Sequence, residues 1–388
     1  HLITLSRSLM VPFLTFSARR DLRERGWRAW TSRGEHPGSS DNRAIVHEIL
    51  QLRAEQAVLH GYATFADYAL ANTVARNRDA VMRLLDDVWQ RAVPALEGER
   101  AQLQAQMRDE GIAHEIEPWD WRFWAERVRR RSYAVDDAEV KPYFPLERMV
   151  AAAFDCAERL FGVRFTERAD LPVYHPDVKA YEMRDRVGRV AGIFLHDNFA
   201  RASKRSGAWM SSFRQQTRNG DDVIPIVVNN NNFAQAAPGH PTLLSFDDVR
   251  TLFHEFGHGL HGLLSNVGYE RLSGTNVLRD FVELPSQLFE HWMSEPAVLR
   301  RHACHVHTGE PIPEALIERL AAARRFGQGF ETVRYTASAL TDMAVHSLPP
   351  GQTPDDVVAF ETEVLGARGL PPGVGVNHRF THFQHLFA

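Results

Sequence analysis

The stretch His254-Glu255-Phe256-Gly257-His258 constrains this chain more than any other. It lies in a run where Val249, Leu252, Phe253, Phe256 and Leu260 recur at the spacing of one helical face. Ser245, followed three residues on by Asp248, approximates a capping box and starts the helix. Two histidines four apart on a helix share a face, one turn apart. Both imidazoles can then reach one Zn²⁺ at about 2.0–2.1 Å. Glu255, beside the first histidine, can contact water at the metal without ligating it, and can take its proton. Gly257 and Gly259 each cost such a helix about 1 kcal/mol relative to alanine. Small residues at such places let another element approach closely.

A catalytic zinc site needs a third ligand and an open position. Glu283 supplies the candidate, within Asp280-Phe281-Val282-Glu283-Leu284-Pro285-Ser286-Gln287. The pattern predicts a second helix over Leu278–Trp292, despite Pro285. Asp280, one turn before Glu283, has two equal readings. It can accept the free N–H of a ligand imidazole, or be an acidic residue favoured near a helix N-terminus. His261 is expected to pack or hydrogen-bond near the site rather than join the ligands.

The rest of the chain sets bounds. Its 388 residues, 44% apolar and 24% charged, suffice for one large domain or two moderate ones. A net charge of −4 points to no nucleic-acid partner. Two cysteines, Cys156 and Cys304, make no disulfide framework and fit a reducing compartment. No run of about 18 apolar residues exists to span a membrane. The chain starts at His1, and Leu9–Phe16 makes a poor signal peptide because it contains Pro12 and lacks a cleavage site. It reads as a buried strand or loop, and the chain as a fragment lacking both ends.

Helices are expected over 18–34, from Ile45 towards Gly61, over Phe65–Ala71, and from Val81 towards Gly111 with a break or kink at Pro94. Trp119, Trp121 and Trp124 open a further helix and read as packing rather than a ligand platform. Another helix follows Pro145 to Phe161. Strands are expected over Phe165–Val173, Tyr181–Arg186, Val190–Leu195 and Ile224–Asn229. Asn229–Asn232 would then lie either at the end of an edge strand crossing a substrate cleft or in a plain surface turn. Residues 312–348 read as two helices joined near Gly327 and Gly329. The division expected is a mainly helical lobe over 1–145 and a zinc-binding region with a small sheet over 146–388.

The combination HEFGHGLHGLL and SGTNVLRDFVELPSQLFEHW resembles the thimet-oligopeptidase-like family of zinc metallopeptidases, and within it the bacterial peptidyl-dipeptidases. Trp119-Asp120-Trp121, Leu171–Val178, Phe199-Ala200-Arg201, Ser206–Trp209 and Asn42–Gly61 extend the resemblance over nearly the whole chain. It implies a mainly α fold, two helical lobes around a deep channel for short peptides, with a zincin-like sheet beside the HExxH helix. It implies His254, His258 and Glu283 as zinc ligands and Glu255 as general base. His385 matches a family histidine that precedes an oxyanion-binding tyrosine. That tyrosine would fall past Ala388, so a chain ending there is expected to bind zinc but turn over poorly.

The activity implied is release of C-terminal dipeptides from short oligopeptides by a cytoplasmic monomer, with no membrane or nucleic-acid partner. Arg201, Lys204 and Arg205 are candidates for the substrate's terminal carboxylate, with ordinary surface charge as the competing reading. Internal cleavage by a related oligopeptidase, or peptide binding without catalysis, are the alternatives.

Overall fold

The computed structural model describes residues 3–5, 7–133, 137–205, 207–376 and 378–387. Of the residues named above, His1, Ser206 and Ala388 lie outside the described ones. In chain order, the helices are α1 (Arg7–Phe16), α2 (Arg20–Thr31), α3 (Arg43–Leu59), α4 (Phe65–Leu70), α5 (Arg78–Asp109), α6 (Trp121–Tyr133), the single turn α7 (Asp137–Val140) and α8 (Leu146–Phe161). Five strands follow: β1 (Arg164–Glu167), β2 (Lys179–Arg184), β3 (Val190–Phe199), β4 (Trp209–Arg214) and β5 (Ile226–Phe233). Then come α9 (Phe246–Leu263), α10 (Leu284–Glu290), α11 (Pro296–His302), α12 (Glu314–Ala323), α13 (Gln328–His346) and α14 (Val357–Ala367). The chain is mainly α with one small mixed sheet.

Contacts divide the chain into two compact units, His1–Ala134 with Ala322–Ala388, and Val135–Ala321. This division differs from a single cut at 145/146, because the C-terminal helices pack with the N-terminal ones. In the first unit Leu96, Leu103 and Met107 of α5 share a core with Val333, Ala337 and Leu340 of α13. A Cβ on Gly329 would come within 2.5 Å of the Leu96 backbone nitrogen, so only glycine permits this approach. The Glu99 carboxylate accepts from the Gly329 and Phe330 N–H groups at 2.8 and 2.9 Å, so a side chain of α5 caps α13. That packing carries α5 unbroken through Pro94, where the sequence suggests a break or kink.

Leu9–Phe16 is likewise helical, as part of α1. Met10 and Leu14, four apart, bury one face against Trp30 of α2, and this burial outweighs the proline. The three tryptophans of 119–124 are all buried, Trp121 stacking on Phe330 at 4.4 Å, so they are core rather than a platform.

In the second unit the sheet order is β1-β2-β3-β5-β4. Among the described strands only β3 and β5 run parallel. The edge strand beside β5 is β4, a strand not anticipated from sequence because four of its six residues are exposed and show no alternation. Asn229–Asn232 are neither a surface turn nor the end of an edge strand. They lie within β5, which is paired on both sides. Alternation turns Val227 and Asn229 towards α9, while Val228 packs on the other face with Ala180 and Leu195.

Candidate metal centre

Helix α9 begins at the expected capping box: Asp248 N–H donates to Ser245 Oγ at 3.1 Å, and Ser245 N–H to Asp248 Oδ2 at 2.9 Å. Val249, Leu252, Phe253, Phe256, Leu260 and Leu263 fill the core behind it. Its glycines are contact points. A Cβ on Gly257 would stand 2.7 Å from Ser286 Cα and 2.9 Å from the Pro285 carbonyl oxygen, so α10 lies directly against the helix there. A Cβ on Gly259 would meet Asn229 Oδ1 at 3.1 Å, and one on Gly262 would meet Met210 Cε at 2.7 Å. The sheet therefore approaches along the face shared by residues 255, 259 and 262.

The second helix is shorter than expected. Residues 279–283 form turns, and α10 starts at Leu284 with Pro285 in its first turn. A proline there loses no helical bond, but it cannot donate to the Phe281 carbonyl, so the helix does not extend backwards. Glu283 thus sits at the helix entrance. Ser286 Oγ donates to its Oε2 at 2.8 Å and contacts its carbonyl oxygen at 2.9 Å.

The Oε2 atom of Glu283 lies 3.3 Å from His254 Nε2 and 3.1 Å from His258 Nε2. One donor atom from each of the three residues lies within 4.8 Å of the others. Ligands about 2.0–2.1 Å from a tetrahedral zinc stand about 3.3–3.4 Å apart, so the spacing of these donors fits Zn²⁺. Two imidazoles and one carboxylate, with a fourth position left open, is also a donor set that ion accepts in catalytic sites.

His254 Nδ1 pairs with Glu290 Oε1 at 2.7 Å, which directs Nε2 to the shared point. This is the role weighed for Asp280, which lies in the turn before α10. Glu290 is seven residues after Glu283, a two-turn spacing that was visible in the sequence. Burial pushes His254 down, but the hydrogen bond with Glu290 and the charges of Glu255, Glu290 and Glu283 outweigh it and leave its pKa raised. Burial lowers His258 against the opposing charge of Glu283. Glu255 is only 5% exposed, and burial, assisted by the charge of Glu283, pushes its carboxyl up to about 7. His261 is no ligand. It lines an apolar cavity of about 630 Å³ with Leu260, Leu264, Leu272 and Leu288, and burial lowers its pKa.

The other candidates fall differently. Arg201 is bidentate to Asp197 at 2.7 and 2.6 Å, and Lys204 reaches the same buried carboxylate at 3.2 Å. Both cations compensate a charge taken out of water. Arg205 remains exposed, its guanidinium 4.7 Å from the centre of the Trp209 ring. His385 is exposed in the 3₁₀ turn Gln384–Leu386 and belongs to the other unit.

A helix-borne pair of histidines, a glutamate at the entrance of the next helix and a buried glutamate beside the first histidine form a candidate metal centre. Residues 13–388 match the model of peptidase family M3, and the chain belongs to that family. It is similar to the dipeptidyl carboxypeptidase of Escherichia coli (strain K12), 38% identical over 389 residues, covering 100% of this chain and 57% of the relative. It is similar to oligopeptidase A of the same organism, 36% identical over 398 residues, covering 100% of this chain and 58% of the relative. A thimet-like oligopeptidase of Dictyostelium discoideum is 30% identical over 359 residues, covering 87% of this chain and 53% of the relative. The chain spans a little over half the length of these relatives.

Proposed function

We propose that the chain carries the metal site and general base of a zinc-dependent peptidase that releases C-terminal dipeptides from short oligopeptides. The convergence of His254, His258 and Glu283 beside Glu255 carries this reading. Zn²⁺ held there would supply Lewis-acid polarisation of the scissile carbonyl and acidify the attacking water. Glu290 fixes the ring of His254, and Ser286 fixes the carboxylate of Glu283. The Glu255 carboxylate takes the proton of the attacking water and passes it to the leaving amine. An extended substrate can pair with the free edge of β4, the strand beside which α9 packs. Arg205, ahead of β4, is the remaining candidate for the substrate's terminal carboxylate. His385 is proposed to act on bound substrate, on the family resemblance alone. The wider architecture proposed is two helical lobes around a channel, with a zincin-like sheet.

Internal cleavage is the second reading, supported by the similarity to oligopeptidase A. Paired peptides with free and blocked C-termini separate the two, since only dipeptide release requires the free carboxylate. Metal analysis by mass tests the core of the proposal. About one zinc per chain is expected, lost on Glu283→Ala and kept on Glu255→Gln with hydrolysis abolished. Zinc kept at full stoichiometry after Glu283→Ala would refute the ligand assignment. Unchanged hydrolysis by Glu255→Gln would refute the base.

A further inference from the structure

The segment between β3 and β4 is tied to the end of β5 along its length. Ala200 N–H donates to the Phe233 carbonyl at 3.1 Å. The buried Lys204 ammonium donates to the carbonyls of Asp197, Phe199 and Asn231. Nearest β4, the Asn232 amide nitrogen donates to the carbonyls of Arg205 and Gly207 at 2.9 and 2.5 Å. A primary amide carries two N–H donors, so this one side chain clamps the backbone at both positions.

The clamp holds a cation. Arg205 is exposed, and its guanidinium lies 4.7 Å from the centre of the Trp209 ring. No acid among the described residues pairs with it. Beneath it, the single charge of the fully buried Asp197 is shared by Arg201 and Lys204. The segment is therefore positive overall and suits an anion. Trp209 and Met210 open β4, and Met210 pairs with Asn229. Asn229 Oδ1 lies 3.1 Å from where a Cβ on Gly259 would stand, one residue past His258. The start of β4 is thus level with the turn of α9 that carries a candidate metal ligand. A peptide added antiparallel to the edge of β4 has its C-terminal end at the start of that strand. There Arg205 meets a terminal carboxylate, which a guanidinium can bind through two parallel hydrogen bonds.

We propose that Asn232 is a positioning residue for Arg205, and that together they form a subsite for the C-terminal carboxylate of a peptide lying antiparallel on β4. The proposal rests on the reading of the chain as a zinc peptidase. A long side chain on an unclamped segment has many rotamers and backbone positions to give up, and that loss opposes binding. The Asn232 amide fixes the backbone of Arg205 beforehand, and the Trp209 ring gives its guanidinium a surface to lie on. The last asparagine of the run in β5 thereby acts on the substrate through Arg205.

Calorimetry on the zinc-loaded protein reads this subsite without turnover. The probe is a phosphinic oligoalanine, made once with a free C-terminal carboxylate and once as the C-terminal amide. The free acid should bind at least about tenfold more tightly than the amide, the size expected of a hydrogen bond to a charged group. Arg205→Ala and Asn232→Ala should each bring the free acid down to the affinity of the amide, and the double variant should do no more than either alone. Asn232→Ala that keeps the full preference, or that weakens both ligands alike, would overturn the positioning role, because a general loosening of the fold does not distinguish an acid from its amide. Trp209→Leu removes the surface under the guanidinium and should also reduce the preference. It keeps the test open if Asn232→Ala fails to fold, and a preference left whole in it would count against the proposal. Equal affinities in the native protein, or an intact preference in Arg205→Ala, would overturn the subsite while zinc-dependent binding left the peptidase reading standing. No zinc-dependent binding of either ligand would overturn both.

Discussion

Glu290 shows how a single residue outside the signature steadies the site. Its carboxylate fixes the tautomer and the angle of His254. Replacing it with alanine is expected to weaken zinc binding about 10–100-fold, as for other partners of ligand histidines, and chelator competition measures this directly. His196 makes a different residue-scale prediction. Burial, reinforced by Lys179 and Lys204 and opposed by Asp197, lowers its pKa from 6.5 to about 3. The folded state therefore refuses a proton that the unfolded chain accepts below about 6.5. Stability is full above that pH and falls as pH drops towards 3, by at most about 1.4 kcal/mol per unit. Denaturant midpoints followed from pH 7 to pH 4 should show this slope in the native protein, and His196→Gln should flatten it.

At this scale the candidate ligands and base were legible, because the HExxH spacing puts His254 and His258 on one helical face and Glu283 follows in the next segment. Glu290 was not singled out. Choosing between it and Asp280 requires knowing that α10 starts at Leu284, and a pattern of apolar residues does not reveal that start.

Among elements, the glycines of α9 decide what can pack where. Gly257→Ala forces its Cβ against backbone atoms of Pro285 and Ser286, which cannot give way as a flexible side chain would. The cost expected is about 1–3 kcal/mol, with weaker zinc binding because Glu283 moves with α10. Gly98, inside α5 with nothing within 4 Å of an added Cβ, is the contrast. Gly98→Ala should stabilise by up to about 1 kcal/mol through helix propensity alone. Urea unfolding of the two variants should therefore shift in opposite directions. That small residues in α9 permit close approach was readable from sequence. Which element approaches was not. The edge strand β4 was missed for a related reason, since an exposed strand carries no alternating pattern to detect. The asparagine run was misplaced because four polar residues look like a loop until tertiary packing encloses them.

At the scale of the molecule, the first unit is discontinuous in sequence. Val46 and Leu50 of α3 share a core with Val345, Val357, Phe380 and Leu386, and Asn42 Nδ2 donates to the Thr381 carbonyl at 2.8 Å. Deleting residues 322–388 is expected to melt helices that precede residue 134, so far-UV circular dichroism should lose more helix than the deleted segments contain. A loss confined to α13 and α14 would contradict the shared core.

The sequence by itself determined the helical class and put forward His254, His258, Glu283 and Glu255 as candidates, because their spacing lies within one or two adjacent helices. Tertiary structure alone decided that Glu290 holds His254, that Asn229 faces α9, and that the last helices join the first. Each of those is a contact between residues remote in sequence or a choice among equivalent acids, and local periodicity carries no record of what lies across a packed interface.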